Sequence, residues 1–394
     1  MKIKKLKSLL IIFIAFKAIV FLVSFAYEKK FFQIFNIDSL ATEDIQLNDI
    51  YYSINHKFNP DEIQKDIVLV NTGSIENDEN FRTNLALLID QINEYGPKNI
   101  GVDIVFEVEK DNFNDSILKE TIARNNVVTA YDFKQKHKNL FQNQNIGVVN
   151  FPARINETIR QYYNYVLVGK DTIPSFACAL IKNYPNQDIE YIKYSSKYSG
   201  FYNFLDENSI ANANNFPAIE ARDFLDDPNT GKISDLLKDK YVIIGHLGAD
   251  SMHNANDFED KFKVPTDSIL FNRIPIMPGC VIHANAAQMH LNNEHILSFD
   301  GWPFEVLSAL ILFGYLFIFF TIKQKSKLSK IYNVIIIIAS TLILIFIANV
   351  YLMDIGVYVI IGGLYAQIAL IEGFIDIEEE FHTIFNKNKK NEVI

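Results

Sequence analysis

The sequence predicts an α/β protein: an extracytoplasmic domain with a mostly parallel or mixed sheet and helices on its faces, one N-terminal transmembrane helix, and a C-terminal bundle of three. Three observations predict it. Short apolar runs ending in Gly or Asp alternate with segments of helical period between residues 67 and 300. Four long apolar runs lie towards the two ends of the chain. Lysine clusters before the first run and after the second agree on one orientation.

The first long run is SLLIIFIAFKAIVFLVSFA, residues 8–26. As a helix it spans about 28 Å, close to the hydrocarbon thickness of a bilayer. Lys2, Lys4, Lys5 and Lys7 precede it in residues 1–7. Lys17 interrupts it, at a cost that snorkelling reduces. Ser24 and Ala26 also fit a small-x-small cleavage site, so a removed signal peptide is the rival reading. The length of the apolar run favours a retained anchor. The other runs are 303–322, 331–351 and 355–374. Lys323, Lys325, Lys327 and Lys330 crowd the loop 323–330 between the first two of these. The positive-inside rule puts residues 1–7, 323–330 and the tail 375–394 in the cytoplasm, and 27–302 outside. Lys17 and Glu372 are the charges in these runs most worth mutating, because intramembrane charges are often functional.

The exported region opens its α/β pattern with IVLVNTG, residues 67–73, a buried strand by composition. In FRTNLALLIDQINEYG, Leu85, Leu88, Ile89 and Ile92 recur at helical spacing, and Gly96-Pro97 stops the helix. IGVDIVFE (100–107) is a second strand, DSILKETIARNN (115–126) a second helix, and VVTAYDF a third strand. GVVNF, YYNYVLVG and IEYIKYSS are strand-like. IPSFACALIKNY is a helix with Pro174 near its start. The helical DLLKDK precedes the buried strand YVIIGHLG, residues 241–248. A last helix over HANAAQMHLNN, from His283, leads to Trp302 and the membrane.

The chain carries a net charge of −10 and no basic stripe, which excludes the usual nucleic-acid surface. No G-x-G-x-x-G follows a strand, no phosphate-binding G-x-x-x-x-G-K-[ST] is present, and no G-x-S-x-G elbow occurs. Cys178 and Cys280 lie in apolar contexts far apart, so two small buried residues are expected rather than a bridge, although an oxidising compartment permits one.

GCVIHANAAQMHLNNEHI, residues 279–296, holds His283, His290 and His295. On one helix, His283 and His290 are about 10 Å apart along the axis, too far to share a zinc ion. His290 and His295 then diverge by about 140° around it. The spacing therefore predicts no metal site, and a metal would need ligands from elsewhere, such as His246 or His253.

PGCVIHANAAQ, residues 278–288, resembles the P-G-x-x-[IV]-H-A-N signature of the type-2 CHASE domain, an extracytoplasmic sensory module of bacterial receptors. Other matching pieces come in the family's order: Arg82 and Ala86 in the first helix, Asp103 ending IGVD, then Asp111, Phe113 and Asp115. IGVVNF followed by Arg160, the proline-started IPSFACAL, and Asp260 with Pro265 after KDKYVIIGHLGAD continue it. Asn71 and Thr72 stand where the family carries acidic residues, and INETIR departs from its aspartate-and-glycine turn. The resemblance covers about residues 40–300 and implies one helix before the domain and three after it. It also implies a polar cluster of Arg82, Asp103, Arg160, Asp260, His283 and Asn285, structural or sensory, with no catalytic residue and no cofactor.

The reading that follows is a non-enzymatic sensor of a small ligand or envelope component in the bacterial inner membrane. It would signal through its helices to a separate cytoplasmic protein, since the tail 375–394 is too short for a catalytic domain. A homodimer is compatible with it. Two rivals are an anchored extracytoplasmic assembly factor, and a hydrolase or metalloenzyme using His283, Asp103 or Asp260.

Overall fold

The structure is a computed structural model. It describes residues 13–14, 16–18, 49, 52, 64–106, 109, 112–134, 145–153, 158–194, 203–204, 211–213, 216–226, 231–248, 260–265, 277–299, 301–325, 330–359 and 367–368. The chain divides into two compact units, residues 49–297 and residues 1–48 with 298–394.

In the first unit the strands are β1 (Ile67–Asn71), β2 (Asn99–Asp103), β3 (Val128–Tyr131), β4 (Ile146–Val148), β5 (Gln161–Tyr163), β6 (Tyr165–Val168), β7 (Asp171–Pro174), β8 (Ile189–Tyr191), β9 (Asn203–Phe204), β10 (Ala211–Ala213), β11 (Phe216–Glu220), β12 (Tyr241–Gly245), β13 (Lys261–Phe262) and β14 (Met277–Pro278). The helices are α1 (Phe81–Glu94), α2 (Asn112–Arg124), α3 (Phe176–Ile181), α4 (Ala221–Asp226), α5 (Gly231–Leu237) and α6 (Gly279–Leu291).

Eight strands form one sheet in the order β4-β3-β2-β12-β1-β11-β10-β9. From β4 to β11 every neighbour pair is parallel. Strands β10 and β9 extend the edge antiparallel. The fold class is thus mixed α/β with a mostly parallel central sheet, as the alternating pattern predicts. All five residues of β1 and of β11 are buried, the pattern of strands covered on both faces.

Side chains alternate between those faces. Val68, Val70, Ile100, Val102, Ile219, Val242 and Ile244 enter the main core with Leu85, Leu88, Ile89 and Ile92 of α1. Leu118 and Ile122 of α2, Phe224 of α4 and Leu237 of α5 complete that layer. Burial of each large aliphatic side chain contributes roughly 2 kcal/mol. Helices α3 and α6 take the opposite face. Phe176 of α3 lies so close that a Cβ on Gly101 would meet its ring at 2.6 Å, and one on Gly147 its Cα at 2.5 Å. Only glycine permits that approach. Ser175 caps α3 by accepting a 3.2 Å hydrogen bond from the Cys178 amide.

Three sequence expectations change. YYNYVLVG is not one strand: β5 pairs with β8, β6 pairs with β7, and Asn164 stands between β5 and β6. The second helix starts at Asn112 rather than Asp115. Helix α6 starts at Gly279 rather than His283, and every residue from Gly279 to His290 is buried. A helix without a solvent face has no periodicity to mark its start.

In the second unit α7 (Gly301–Lys325) and α8 (Lys330–Asp354) are 25 residues each and cover the apolar runs 303–322 and 331–351. Lys17 Nζ donates to Gln367 Oε1 at 2.8 Å and lies 3.9 Å from Glu305 Oε2. Phe13 meets Phe313 edge-on at 5.6 Å. Among the described residues no helix is long and apolar enough to cross a membrane. The spanning of 8–26, 303–322, 331–351 and 355–374 therefore stays an expectation of the sequence, and Glu372 lies outside the described residues.

Candidate functional site

In a parallel sheet the carboxyl ends of all strands share one edge, the edge where ligands of open α/β sheets bind. Here four adjacent strands end in register. Asp103 of β2 pairs with Gly245 of β12, Gly245 with Asn71 of β1, and Asn71 with Glu220 of β11. The shared rung directs the side chains of Asp103, Asn71 and Glu220 to the α6 face. A Cβ on Gly245 would meet Cys280 Cβ of α6 at 3.0 Å and Asp103 Cβ at 3.3 Å.

Asn71 organises this edge. Its Nδ2 donates to Glu220 Oε1 and Oε2 at 2.9 and 3.0 Å and to the Gly248 carbonyl at 3.0 Å. Its Oδ1 accepts from the amides of Leu247 at 2.9 Å and Gly73 at 3.1 Å. The loops after β1 and β12 are thereby tied together, and Thr72 N adds a bond to the Gly245 carbonyl. A Cβ on Gly73 would lie 2.3 Å from the Gly248 carbonyl oxygen, and Gly248 has φ +123°. Both positions require glycine. Arg222 fastens the outer part of the first loop, donating to the Ser74 carbonyl at 2.6 Å and to Asp78 at 3.0 Å.

Acidic groups converge beside this rung. His246 Nδ1 is 2.9 Å from Glu76 Oε2, and Thr72 Oγ1 donates to Glu76 Oε1. Burial pushes the Glu76 carboxyl up, but the bonds from His246 and Thr72 outweigh it and leave it below its ordinary value. Burial raises Asp103 well above the carboxylate range, and the nearby Asp260 raises it further. Asp260 is pushed up to about 6 by burial, lowered by His246 and raised by Glu76. Cys280 donates to the His246 carbonyl at 3.4 Å, and its thiol is raised by burial and then by Asp103 and Asp260. Asp260 has φ +53°, and its carbonyl accepts from Gly279 N at the start of α6.

The six residues expected as one polar cluster are distributed. Asp103 and Asp260 belong to the carboxyl edge. Arg82 pairs with Asp115, both buried, and lies over the Phe106 ring at 5.6 Å. Arg160 makes a two-pronged bond to Asp49, Nε to Oδ1 at 2.9 Å and Nη2 to Oδ2 at 2.8 Å. His283 stacks on Phe151 at 5.0 Å and tilts against Phe176 at 5.2 Å. Burial lowers its pKa to about 3, against a hydrogen bond with the Val149 backbone, so it is a neutral core group. Asn285 donates back to the Val281 carbonyl within α6 at 2.9 Å. Cys178 and Cys280 are both free and buried.

A second polar group lies at the other end of α6. The helix stops at Leu291, and Asn293 adopts φ +56°, so the chain turns back. The divergence of His290 and His295 expected on a continuous helix is thus corrected: their rings are 5.4 Å apart. Asn292-Asn293 is the sequence signal for this stop, because asparagine tolerates the left-handed conformation. His295 Nδ1 lies 2.7 Å from Glu190 Oε1. Tyr162 and Asn164 each donate to Glu190 Oε2 at 3.1 Å. Tyr162 also bonds His290 Nε2, and the Asn164 amide oxygen is 3.2 Å from the same nitrogen. Cys178 Sγ is 3.6 Å from it, with its thiol raised to about 12, mainly by burial. Burial lowers His290 to about 4, Glu190 raises it and His295 lowers it. Of the ligands suggested from elsewhere in the chain, His246 is on the carboxyl edge and His253 lies outside the described residues.

The family model for the CHASE2 domain matches residues 18–320. No curated protein and no solved structure matches the chain.

Proposed function

The chain belongs to the CHASE2 domain family, a family of sensory rather than catalytic domains, and from this membership we propose that it perceives a small ligand or envelope component at the carboxyl edge of its parallel sheet. The observation that carries the proposal is the four-strand rung of Asp103, Gly245, Asn71 and Glu220, with Asp260, Glu76 and His246 beside it. Converging carboxyl groups favour a ligand that brings hydrogen-bond donors or positive charge. Two raised carboxyls, Asp103 and Asp260, can accept such a ligand's charge by releasing protons.

The sensing domain, residues 27–302, lies outside the bacterial inner membrane in this proposal. The apolar runs anchor it, and both chain ends lie in the cytoplasm. Cys280 places the first turn of α6 against the carboxyl edge, and the chain passes from Leu291 to Gly301 and α7. Ligand capture is thereby linked to the helix that leads to the anchor, and a separate cytoplasmic protein receives the signal.

Full-length protein in nanodiscs tests the ligand site. Thermal melting against a panel of small amines and amino acids should give a ligand-dependent rise that Asp103→Asn and Asp260→Asn abolish. An unchanged rise in both variants refutes the site. Labelling of single cysteines introduced at Lys29 and Lys327 with a membrane-impermeant reagent tests orientation: only the first should react in intact cells.

A further inference from the structure

Glu190, His290 and His295 can each offer one ligand atom to a metal ion, and these atoms lie within 4.8 Å of one another. They come from three places: β8, the last turn of α6, and the segment after the helix stop. Two imidazoles and a carboxylate are a zinc donor set, and such sites leave a further position for water. The surroundings support the ligands from behind. Tyr162 and Asn164 bind Glu190 through Oε2, while Oε1 faces His295 Nδ1 at 2.7 Å. Outer hydrogen bonds of this kind orient metal-binding carboxylates and raise their affinity.

Internal hydrogen bonding accounts for Glu190 but not for all of His290. His290 is 3% exposed, and its Nδ1 is buried with no hydrogen-bond partner. A buried polar atom without a partner is costly, and in native proteins it marks a missing ligand or a special role.

We propose that Glu190, His290 and His295 form a zinc-binding site at the end of α6. The site is distinct from the carboxyl edge and does not depend on ligand sensing there. Zinc would pin His295 to β8 and so fix the segment that follows α6.

The test uses the full-length protein, chelator-stripped in nanodiscs and titrated with Zn²⁺ alone by calorimetry. The expected result is one Zn²⁺ per chain. His295→Ala and Glu190→Gln should bind at least about 100-fold more weakly, while Tyr162→Phe, which removes only outer support, should lose roughly 10–100-fold. Circular dichroism checks that each variant keeps its fold. His295, being half-exposed, is the variant least expected to unfold the domain. The proposal is overturned if the wild type binds no stoichiometric Zn²⁺, or if folded His295→Ala binds it within threefold of wild type.

Discussion

Asn71 holds Glu220 through one amide nitrogen, 2.9 and 3.0 Å from the two carboxylate oxygens, on the last paired rung of β1 and β11. The same side chain accepts from Leu247 and Gly73. Asn71→Ala removes these bonds to the carboxylate and to two amides, and it should cost about 3 kcal/mol in urea unfolding. Asn71→Asp sets two carboxyls together and raises the pKa of one. A raised carboxyl pKa destabilises the folded state as pH rises through it. The melting deficit of this variant should therefore be larger at pH 8 than at pH 5.

Arg160 and Asp49 are both buried and joined by two hydrogen bonds. Removal of either partner takes this two-pronged bond away from a buried charge. Arg160→Ala and Asp49→Ala should each cost about 3–5 kcal/mol, and the paired replacement Asp49→Leu with Arg160→Met should cost less than either. Chemical denaturation of the three proteins measures this. Equal losses in all three would refute the pairing as the cause.

Asp260 titrates at about 6 in the folded chain, above its ordinary value of 3.8. The folded state then binds more protons than the unfolded one between these values, so this group makes stability fall as pH rises through that window. Asp103, raised in the same direction, adds to the fall. The pair titrates as a unit, and Glu76, His246 and Cys280 face it. Melting temperatures from pH 4 to 8 should show a shallower decline for Asp260→Asn than for wild type.

His283 is packed as an aromatic core residue between Phe151 and Phe176. His283→Ala should cost about 3 kcal/mol through the cavity it leaves, and His283→Phe should cost less. The imidazole pKa, lowered to about 3, adds an acid dependence. The unfolded chain takes up a proton near pH 6.5 that the folded chain refuses, so this contribution is lost as pH falls below that point. Unaltered thermal stability in His283→Ala would contradict the assignment.

The apolar runs made β1, β2, β12 and α1 legible, because burial on both faces or on one stripe writes itself into composition and period. Family motifs located Arg82, Arg160 and Asp260 without indicating their partners. Asp115 stands in the matched acidic turn, but nothing there joins it to Arg82; Asp49 is distant from Arg160 in sequence, and contact is a property of the folded chain. Glu190 was missed for the same reason. It meets Tyr162 because β5 and β8 pair antiparallel with these residues opposite each other, and strands of three residues carry no usable period. His295 does not continue the face expected of one long helix, because the chain stops and turns at Asn292-Asn293, where the local signal favours a stop.

The complete burial of α6 from Gly279 to His290 has a kinetic consequence. Backbone amides exchange with solvent only through openings, and segments lacking a wet face open last. The amides of α6 should therefore exchange at the rate of global unfolding, while those of the half-exposed α2 exchange earlier. The segment through which the chain leaves the domain is then its slowest to breathe, and any displacement of α6 involves the strands and the α3 ring packed around it.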